Sequence, residues 1–249
     1  MKIVSVPRIS GLGNVGSEEM AEKVLSELGV NSEEIIIGND DISEDDGRIY
    51  SGARNVFESG EKVVFVGGDH SISYPIFKAF NEKNKDAFLI VFDAHADCMP
   101  PMKEPTHEEW LRGVIENCGL SGDRIILVGA RKVESVEWKF LKDNGIKVFS
   151  EINNLEAIGD YITERANGAD VYVSVDVDVL DPAFAPGVNY AELNGLSSRE
   201  LFYLLKRIFC IKSLRALDVV EVVPSKDEKY DYRTVKVAVG IVDLFLKSG

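Results

Sequence analysis

The chain has 249 residues, 45% of them hydrophobic, and a mean hydropathy of −0.04, values that suit a globular protein with a buried core. Asp and Glu number 42 against 28 Lys and Arg, and the net charge of −14 argues against nucleic-acid and anionic-membrane partners. The three cysteines form no Cys-x-x-Cys pair, no apolar run is long enough to span a membrane, and the N-terminal apolar run is too short for a signal peptide, so we expect a cytoplasmic protein.

Apolar runs rich in β-branched residues alternate with amphipathic stretches along the whole chain. The predicted strands are residues 2–6, 34–37, 62–66, 87–92, 124–128, 147–149, 171–177 and 214–220. The predicted helices are residues 17–28, 48–58, 71–81, 107–117, 135–143, 155–166, 197–209 and 232–247. Strict alternation with continuously apolar strands predicts an α/β fold, in which residues 1–249 form a single-domain three-layer α/β/α sandwich around a mostly parallel, roughly eight-stranded sheet.

Three predicted strands end in side chains that bind metals. In parallel sheets, ligands bind beyond the carboxyl ends of the strands. The segment D-A-H-A-D (93–97) follows one buried strand, and in an extended backbone its first, third and fifth side chains point to the same side. The same period of two pairs the aspartates of D-V-D (176–178) at a later strand end, and G-G-D-H-S (67–71) supplies a histidine at an earlier one. The candidate metal ligands are His70, Asp93, His95, Asp97, Asp176 and Asp178.

Six donors, most of them oxygens, are too many for one tetrahedral zinc ion and predict two ions bridged by carboxylates. Mn²⁺ is the first expectation, with Fe²⁺ or Co²⁺ as alternatives. Three neighbours have other predicted roles. Asp69 is expected to orient His70 or a loop amide, Asp181 to form a turn, and Cys98 to be a packed neutral thiol.

A competing motif lies near the N-terminus. Residues 11–16, G-L-G-N-V-G, match the dinucleotide fingerprint G-x-G-x-x-G and would suit a nucleotide-binding module without hydrolytic activity. Residues 7–10 separate this motif from the preceding predicted strand, whereas the fingerprint turn follows its strand at once. A plain glycine-rich loop is therefore the preferred interpretation.

The segments G-G-D-H-S (67–71), F-D-A-H-A-D (92–97) and S-V-D-V-D-V-L-D-P (174–182) together resemble the signatures of the ureohydrolase superfamily of arginases, agmatinases, guanidinobutyrases and formimidoylglutamases. The similarity extends over roughly residues 60–245 and matches in order and spacing. The resemblance implies the three-layer fold, a binuclear manganese site on the same six residues, and assembly into a homotrimer or homohexamer.

The resemblance also implies roles for individual residues and a reaction. His107 matches the family's proton-shuttling histidine, and Glu221 matches the glutamate that binds the guanidinium group. The implied reaction is hydrolysis of a C–N bond of a guanidino compound by a hydroxide that bridges the metals. Asp97 would orient that hydroxide, and urea would be released.

The family's loop G-T-G-T-P-E-P-G-G is replaced here by G-V-N-Y-A-E-L-N-G (187–195), which leaves the substrate open between guanidino and formimino compounds. A formimidoylglutamase would release formamide and needs cations for the substrate's carboxylates, for which Arg112, Arg131 and Lys103 are candidates. An amide deacetylase of related fold and a metal-binding, non-catalytic homologue are the remaining alternatives.

Overall fold

The computed structural model describes residues 1–10, 15–38, 41–101 and 103–248. Its strands are β1 (Lys2–Val6), β2 (Glu33–Glu34), β3 (Val63–Gly67), β4 (Ala87–Phe92), β5 (Ile125–Val128), β6 (Lys147–Phe149), β7 (Asp170–Asp176) and β8 (Leu214–Val220). All pair in parallel in one sheet with the order β2-β1-β3-β8-β7-β4-β5-β6. The predicted α/β fold with a parallel eight-stranded sheet is confirmed.

Helices cover both faces of the sheet. The α-helices of the described residues are α1 (Met20–Leu28), α2 (Ile42–Glu58), α3 (Ser73–Lys83), α4 (Trp110–Cys118), α5 (Ser135–Asp143), α6 (Leu155–Arg165), α7 (Ser198–Ile208), α8 (Pro224–Asp227) and α9 (Arg233–Leu246). One core packs α1, α6, α7 and α9 against the sheet, and the other packs α2 to α5. Within the described part of the chain, no helix is long and apolar enough to cross a membrane.

The second strand was predicted to begin one residue and to end three residues too late. Strand β2 is only Glu33–Glu34, because the chain leaves the sheet edge at Ile35 and packs that side chain against α2. A Cβ on Gly52 of α2 would lie 2.7 Å from Ile35 Cδ1, so the helix approaches closely. Helix α2 begins six residues earlier than predicted, since the Asp41 carboxylate caps it by accepting a hydrogen bond from Glu44 N–H at 3.0 Å.

The helix predicted from residue 107 begins only at Trp110. The Glu109 carboxylate accepts hydrogen bonds from Thr106 N–H (2.9 Å) and Thr106 Oγ1–H (2.5 Å), which closes residues 106–109 into a turn. His107 therefore precedes the helix and is only 5% exposed. Gly11 to Asn14 of the G-x-G-x-x-G match lie outside the described residues, so the dinucleotide alternative stays a prediction.

A glycine brings three strand ends together. At Gly68, just after β3, a Cβ would lie 1.8 Å from the Arg8 carbonyl oxygen, so only glycine allows this approach. Asp69 N–H donates to that carbonyl at 3.0 Å, and Gly68 O accepts from Glu221 N–H at 2.9 Å. These contacts hold the loops after β1, β3 and β8 side by side.

Candidate metal centre and active site

The six predicted metal ligands lie together at the carboxyl ends of β3, β4 and β7, in the middle of the sheet. Five of them form two groups, each with its donor atoms within 4.8 Å of one another, and Asp176 belongs to neither. One group is His70, Asp93 and Asp97, and the other is Asp93, His95 and Asp178. Asp93 belongs to both groups, so its two oxygens lie between the two candidate positions for a cation.

The side chains of D-A-H-A-D converge for a different reason from the one predicted. Strand β4 ends at Phe92, and Asp97 has a left-handed φ of 47°, so the segment is not extended. Its Asp93 carboxylate accepts a hydrogen bond from His95 N–H at 2.7 Å, which closes a tight turn. The extended-backbone argument was wrong, and it is the loop that turns these side chains toward one another.

The two aspartates at the end of β7 and just after it, Asp176 and Asp178, also diverge from the predicted common face. Asp178 lies in a 3₁₀ turn, and its N–H donates to Asp176 Oδ1 at 2.7 Å. Asp176 Oδ2 lies 3.4 Å from His70 Nδ1, whereas Asp178 Oδ2 lies 2.9 Å from His95 Nδ1. Each aspartate therefore lies beside a different histidine, Asp176 beside His70 and Asp178 beside His95.

The tautomer of His70 follows from its hydrogen bonds. The hydroxyl of Ser174 donates to Asp218 Oδ1 at 2.6 Å, so its oxygen accepts from His70 Nε2–H at 2.9 Å. In the neutral ring the lone pair is then on His70 Nδ1, a buried atom with no hydrogen-bond partner among the described residues. It lies 3.1 Å from both Asp93 Oδ2 and Asp97 Oδ2. A lone pair that faces carboxylates is repelled unless a cation lies between them.

The charge of the cluster leads to the same conclusion. No Lys or Arg of the described residues forms an ion pair with the four aspartates. Burial and the charge of Asp93 raise the pKa of Asp97 to about 8, and burial together with Asp178 raises the pKa of Asp176 well above its usual range. Two divalent cations would neutralise four carboxylates and satisfy both imidazoles, so the donor set fits two ions.

Trp110 contacts the cluster and was not predicted from the sequence. Its Nε1–H donates to Asp97 Oδ2 at 2.9 Å, and its ring centroid lies 4.5 Å from that of His70. The side chain is fully buried. A single tryptophan in a predicted helix gives no sign of such a contact, because the contact depends on how the loop after β4 folds back.

Changing Trp110 to Phe should lower the affinity of the candidate metal site for a divalent cation without unfolding the chain. The variant removes the hydrogen bond that orients Asp97, and losses of such supporting bonds cost about tenfold or more in metal affinity. Calorimetric titration with Mn²⁺ measures the effect. The matched control is Trp138→Phe, since Trp138 is 43% exposed on α5. Equal Mn²⁺ affinity in both variants would contradict the assigned role.

Glu221 lies beside the cluster at the end of β8. Its backbone has a left-handed φ of 71°, and its Oε1 accepts a hydrogen bond from His70 N–H at 2.8 Å. Burial, and then the charge of Asp69, raise the pKa of Glu221 well above its usual range. A buried carboxylate of this kind is stabilised when a cationic group binds next to it.

His107 contacts the site through Tyr190. The two rings stack with centroids 5.7 Å apart and planes inclined by 22°. The edge of Tyr190 also approaches His95, with centroids 6.3 Å apart. Tyr190 belongs to the altered loop 187–195, so the departure from the family pattern falls inside the site.

The three neighbours with other predicted roles can now be placed. Asp69 accepts hydrogen bonds from the amides of Ser10 (2.6 Å) and Ser71 (3.1 Å), so the expected bond to a loop amide is confirmed. His70 is oriented by Ser174 instead.

Asp181 accepts hydrogen bonds from two loop amides and forms the predicted turn. Cys98 is a fully buried free thiol, and burial raises its pKa well above the usual range.

A cavity of about 310 Å³ opens beside the cluster, and its mouth is acidic. Glu108, Glu134 and Glu192 line it, and Glu192 Oε1 lies 3.9 Å from His95 Nε2. Among the described residues that line the cavity, Lys132 is the one Lys or Arg, and it pairs with Glu134 at 3.5 Å. The mouth is therefore suited to a cationic group rather than to a carboxylate.

The arginines expected to bind substrate carboxylates are engaged elsewhere. The guanidinium of Arg131 donates to main-chain carbonyls, including those of Asp178 (3.0 Å) and Glu192 (2.8 Å), and so ties the altered loop to the end of β7. Arg112 packs over the ring of Phe140 and donates to Glu116 at 2.9 Å. Neither arginine lines the cavity.

The profile of the Arginase family matches residues 13–246. The chain belongs to the arginase family. The agmatinase of Bacillus subtilis (strain 168) is 33% identical over 176 residues, which make up 70% of this chain and 59% of that protein. The match thus spans less than two thirds of that arginase-family relative.

Solved structures show the same arginase fold. The arginase from Bacillus subtilis superimposes with a TM-score of 0.88 at 23% identity, covering 98% of this chain and 97% of the other. The formimidoylglutamase from Bacillus subtilis subsp. subtilis str. 168 gives a TM-score of 0.89 at 22% identity, covering 99% and 86%. The likeness is equal for both enzymes, so the backbone of this family member does not discriminate between their substrates.

Proposed function

We propose that this chain hydrolyses a C–N bond of a guanidino compound and releases urea, with two Mn²⁺ ions held by His70, Asp93, His95, Asp97, Asp176 and Asp178. The observation that carries the proposal is the pair of donor groups that share Asp93, with the buried side chains of Glu221 and His107 nearby. Two divalent ions held there would supply a hydroxide nucleophile near neutral pH, because they lower the pKa of water.

The chain's own residues account for the remaining steps. Asp97 accepts a hydrogen bond from the nucleophile and orients it for attack on the planar guanidinium carbon. Glu221 binds the guanidinium through charge-assisted hydrogen bonds. His107 delivers a proton to the amine that leaves. Trp110 keeps Asp97 in place, because its indole N–H occupies one of the carboxylate's acceptor positions.

The acidic mouth favours a substrate whose far end is cationic, such as agmatine. A guanidino acid would bring a carboxylate next to Glu108, Glu134 and Glu192. The formimino alternative is less well supported, because its substrate carries carboxylates and Arg131 donates to main-chain carbonyls instead. Like charges at short range cost binding free energy, so the mouth selects against both kinds of acid.

One screen tests the proposed function. Purified chain loaded with Mn²⁺ is assayed with agmatine, arginine, guanidinobutyrate, guanidine and formiminoglutamate, and urea and formamide are measured separately. We expect urea from agmatine at the highest kcat/KM and no turnover after chelation. Formamide from formiminoglutamate would favour the alternative, and urea release that survives chelation would overturn the proposal.

Changing Glu221 to Gln should lower kcat/KM for every guanidino substrate. Glutamine keeps the shape and an oxygen that can accept from His70 N–H, but it removes the charge that faces the guanidinium. Hydrogen bonds to charged groups contribute about 1.5–3 kcal/mol, so the loss should be roughly 10- to 100-fold. Steady-state kinetics measure it. Glu164→Gln, an exposed position on α6, is the control. Unchanged kcat/KM would remove Glu221 from the site.

Changing Glu192 to Gln should affect substrates with a cationic tail selectively. Charge pairs at exposed positions contribute up to about 1 kcal/mol, so KM for agmatine should rise by up to about fivefold. KM for guanidine, which has no tail, should not change. An equal rise for both substrates would show that Glu192 supports the site as a whole and does not read the tail.

A further inference from the structure

His107 is held from two sides by residues that are not candidate metal ligands. Its Nδ1 lies 2.8 Å from the hydroxyl oxygen of Ser10, and one ring face stacks on Tyr190. Ser10 is 7% exposed, so water has little access to this contact. The hydrogen bond with Ser10 and the stacking on Tyr190 therefore restrict rotation of the His107 ring.

The direction of each hydrogen bond follows from the donors available. Asp69 Oδ2 accepts from both Ser10 N–H (2.6 Å) and Ser10 Oγ–H (2.7 Å). A serine hydroxyl has one hydrogen, so once it is given to Asp69 the Ser10 oxygen can only accept from His107. The other oxygen of Asp69 accepts from the amide and the hydroxyl of Ser71, which fixes the carboxylate. The chain of bonds thus runs from His107 Nδ1–H through Ser10 to Asp69.

The opposite ring nitrogen is left for chemistry. His107 Nε2 is buried and has no hydrogen-bond partner among the described residues, and the side chain lines the cavity beside the cluster. Buried polar atoms without a partner are rare, and they are commonly reserved for a ligand or a catalytic step. With hydrogen on Nδ1, the neutral ring presents a lone pair at Nε2.

We propose that Asp69 and Ser10 are positioning residues that hold His107 in the Nδ1–H tautomer and direct Nε2 toward the substrate. Nε2 takes the proton that water releases on becoming the hydroxide nucleophile, which makes the ring cationic, and then returns that proton to the leaving amine. The negative charge of Asp69, transmitted through Ser10, stabilises the cationic ring between the two transfers. The role of His107 in proton transfer rests on the proposed function, whereas the assignment of its Nδ1–H tautomer does not.

The tautomer can be read directly because the chain has only three histidines. Two-bond ¹H–¹⁵N spectra of ¹⁵N-histidine-labelled protein, loaded with diamagnetic Mg²⁺ or Zn²⁺, distinguish the two tautomers. We expect His107 to be protonated at Nδ1 in the parent chain and in Ser10→Thr, and to lose this preference in Ser10→Ala. An Nε2–H tautomer in the parent chain would overturn the proposal even if the enzyme is active.

Kinetics supply the second test. Ser10→Ala should lower kcat by roughly 10- to 100-fold, the usual cost of losing a group that orients a functional histidine. KM should stay within about threefold, Ser10→Thr should restore most of kcat, and Ser51→Ala on the exposed face of α2 is the control. In a His107→Asn background, Ser10→Ala should cost nothing more, and a further loss would contradict action through His107. If no substrate is turned over, the proposed function is wrong. The measured tautomer of His107 then tests the positioning role of Ser10 and Asp69 by itself.

Discussion

Replacing Asp93 by Asn is expected to abolish both metal binding and turnover. Asp93 is the residue that both donor groups share, and its carboxylate is buried. An amide offers one neutral acceptor where two anionic oxygens are needed. Divalent ions supply several kcal/mol of transition-state stabilisation, so activity should fall by about a thousandfold or more. Metal content by mass spectrometry and urea release measure the two effects together.

The matched control for this prediction is Asp181→Asn. Asp181 follows β7, as Asp93 follows β4, but it accepts hydrogen bonds from the amides of Ala183 (3.0 Å) and Asn194 (2.8 Å). It lies outside both donor groups. It should keep its metal and most of its activity. The double variant Asp93→Asn with Asp176→Asn should contain no metal at all. If Asp93→Asn retained two ions per chain and full turnover, the site would have been assigned to the wrong residues.

Replacing His107 by Asn is expected to lower kcat by roughly 10²- to 10⁴-fold, the usual contribution of a positioned general acid or base. KM should change little, because in the proposed mechanism Glu221 rather than His107 binds the guanidinium. Metal content should be that of the parent chain, since His107 is absent from both donor groups. Steady-state kinetics on agmatine, with metal analysis of the same preparation, test all three statements.

The contrasting variant is His95→Asn, which removes a donor atom and should lose metal as well as activity. His107→Asn and His95→Asn therefore separate proton transfer from metal binding. A His107→Asn enzyme with unchanged kcat would mean that another group protonates the leaving amine. A His107→Asn enzyme without metal would mean that the residue supports the cluster through Tyr190.

The fold and the cluster were predictable because they depend on local sequence. Continuous apolar strands require helices on both faces, and the carboxyl ends of all strands of a parallel sheet lie at one edge, so donors at the ends of β3, β4 and β7 were expected at that edge. They meet because β7 and β4 are neighbours in the sheet and only β8 lies between β7 and β3. The predictions of side-chain direction and of helix starts were wrong where the backbone leaves regular geometry. Asp97 and Glu221 adopt left-handed conformations that no period predicts. Local side-chain bonds, at Asp41 and Glu109, moved two helix starts.

The remaining site residues could not be predicted because their roles depend on contacts between distant segments. Ser10 meets His107 across 97 positions of the chain, because the loop after β1 folds against the turn that precedes α4. Tyr190 could be identified as part of an altered loop, but not as the residue that stacks on His107. Arg131 was one of three candidates for binding a substrate carboxylate in the formimidoylglutamase alternative, and its carbonyl partners come from a turn that forms only in the folded chain.

Urea release as a function of bound Mn²⁺ per chain tests the central claim most directly. Metal-depleted protein is titrated with Mn²⁺, and the ions bound and the rate with agmatine are measured at each step. We expect two ions per chain at saturation, little activity at low occupancy, and the full rate only when both are bound. Full turnover without metal, or saturation at a single ion with full turnover, would contradict the two-metal account.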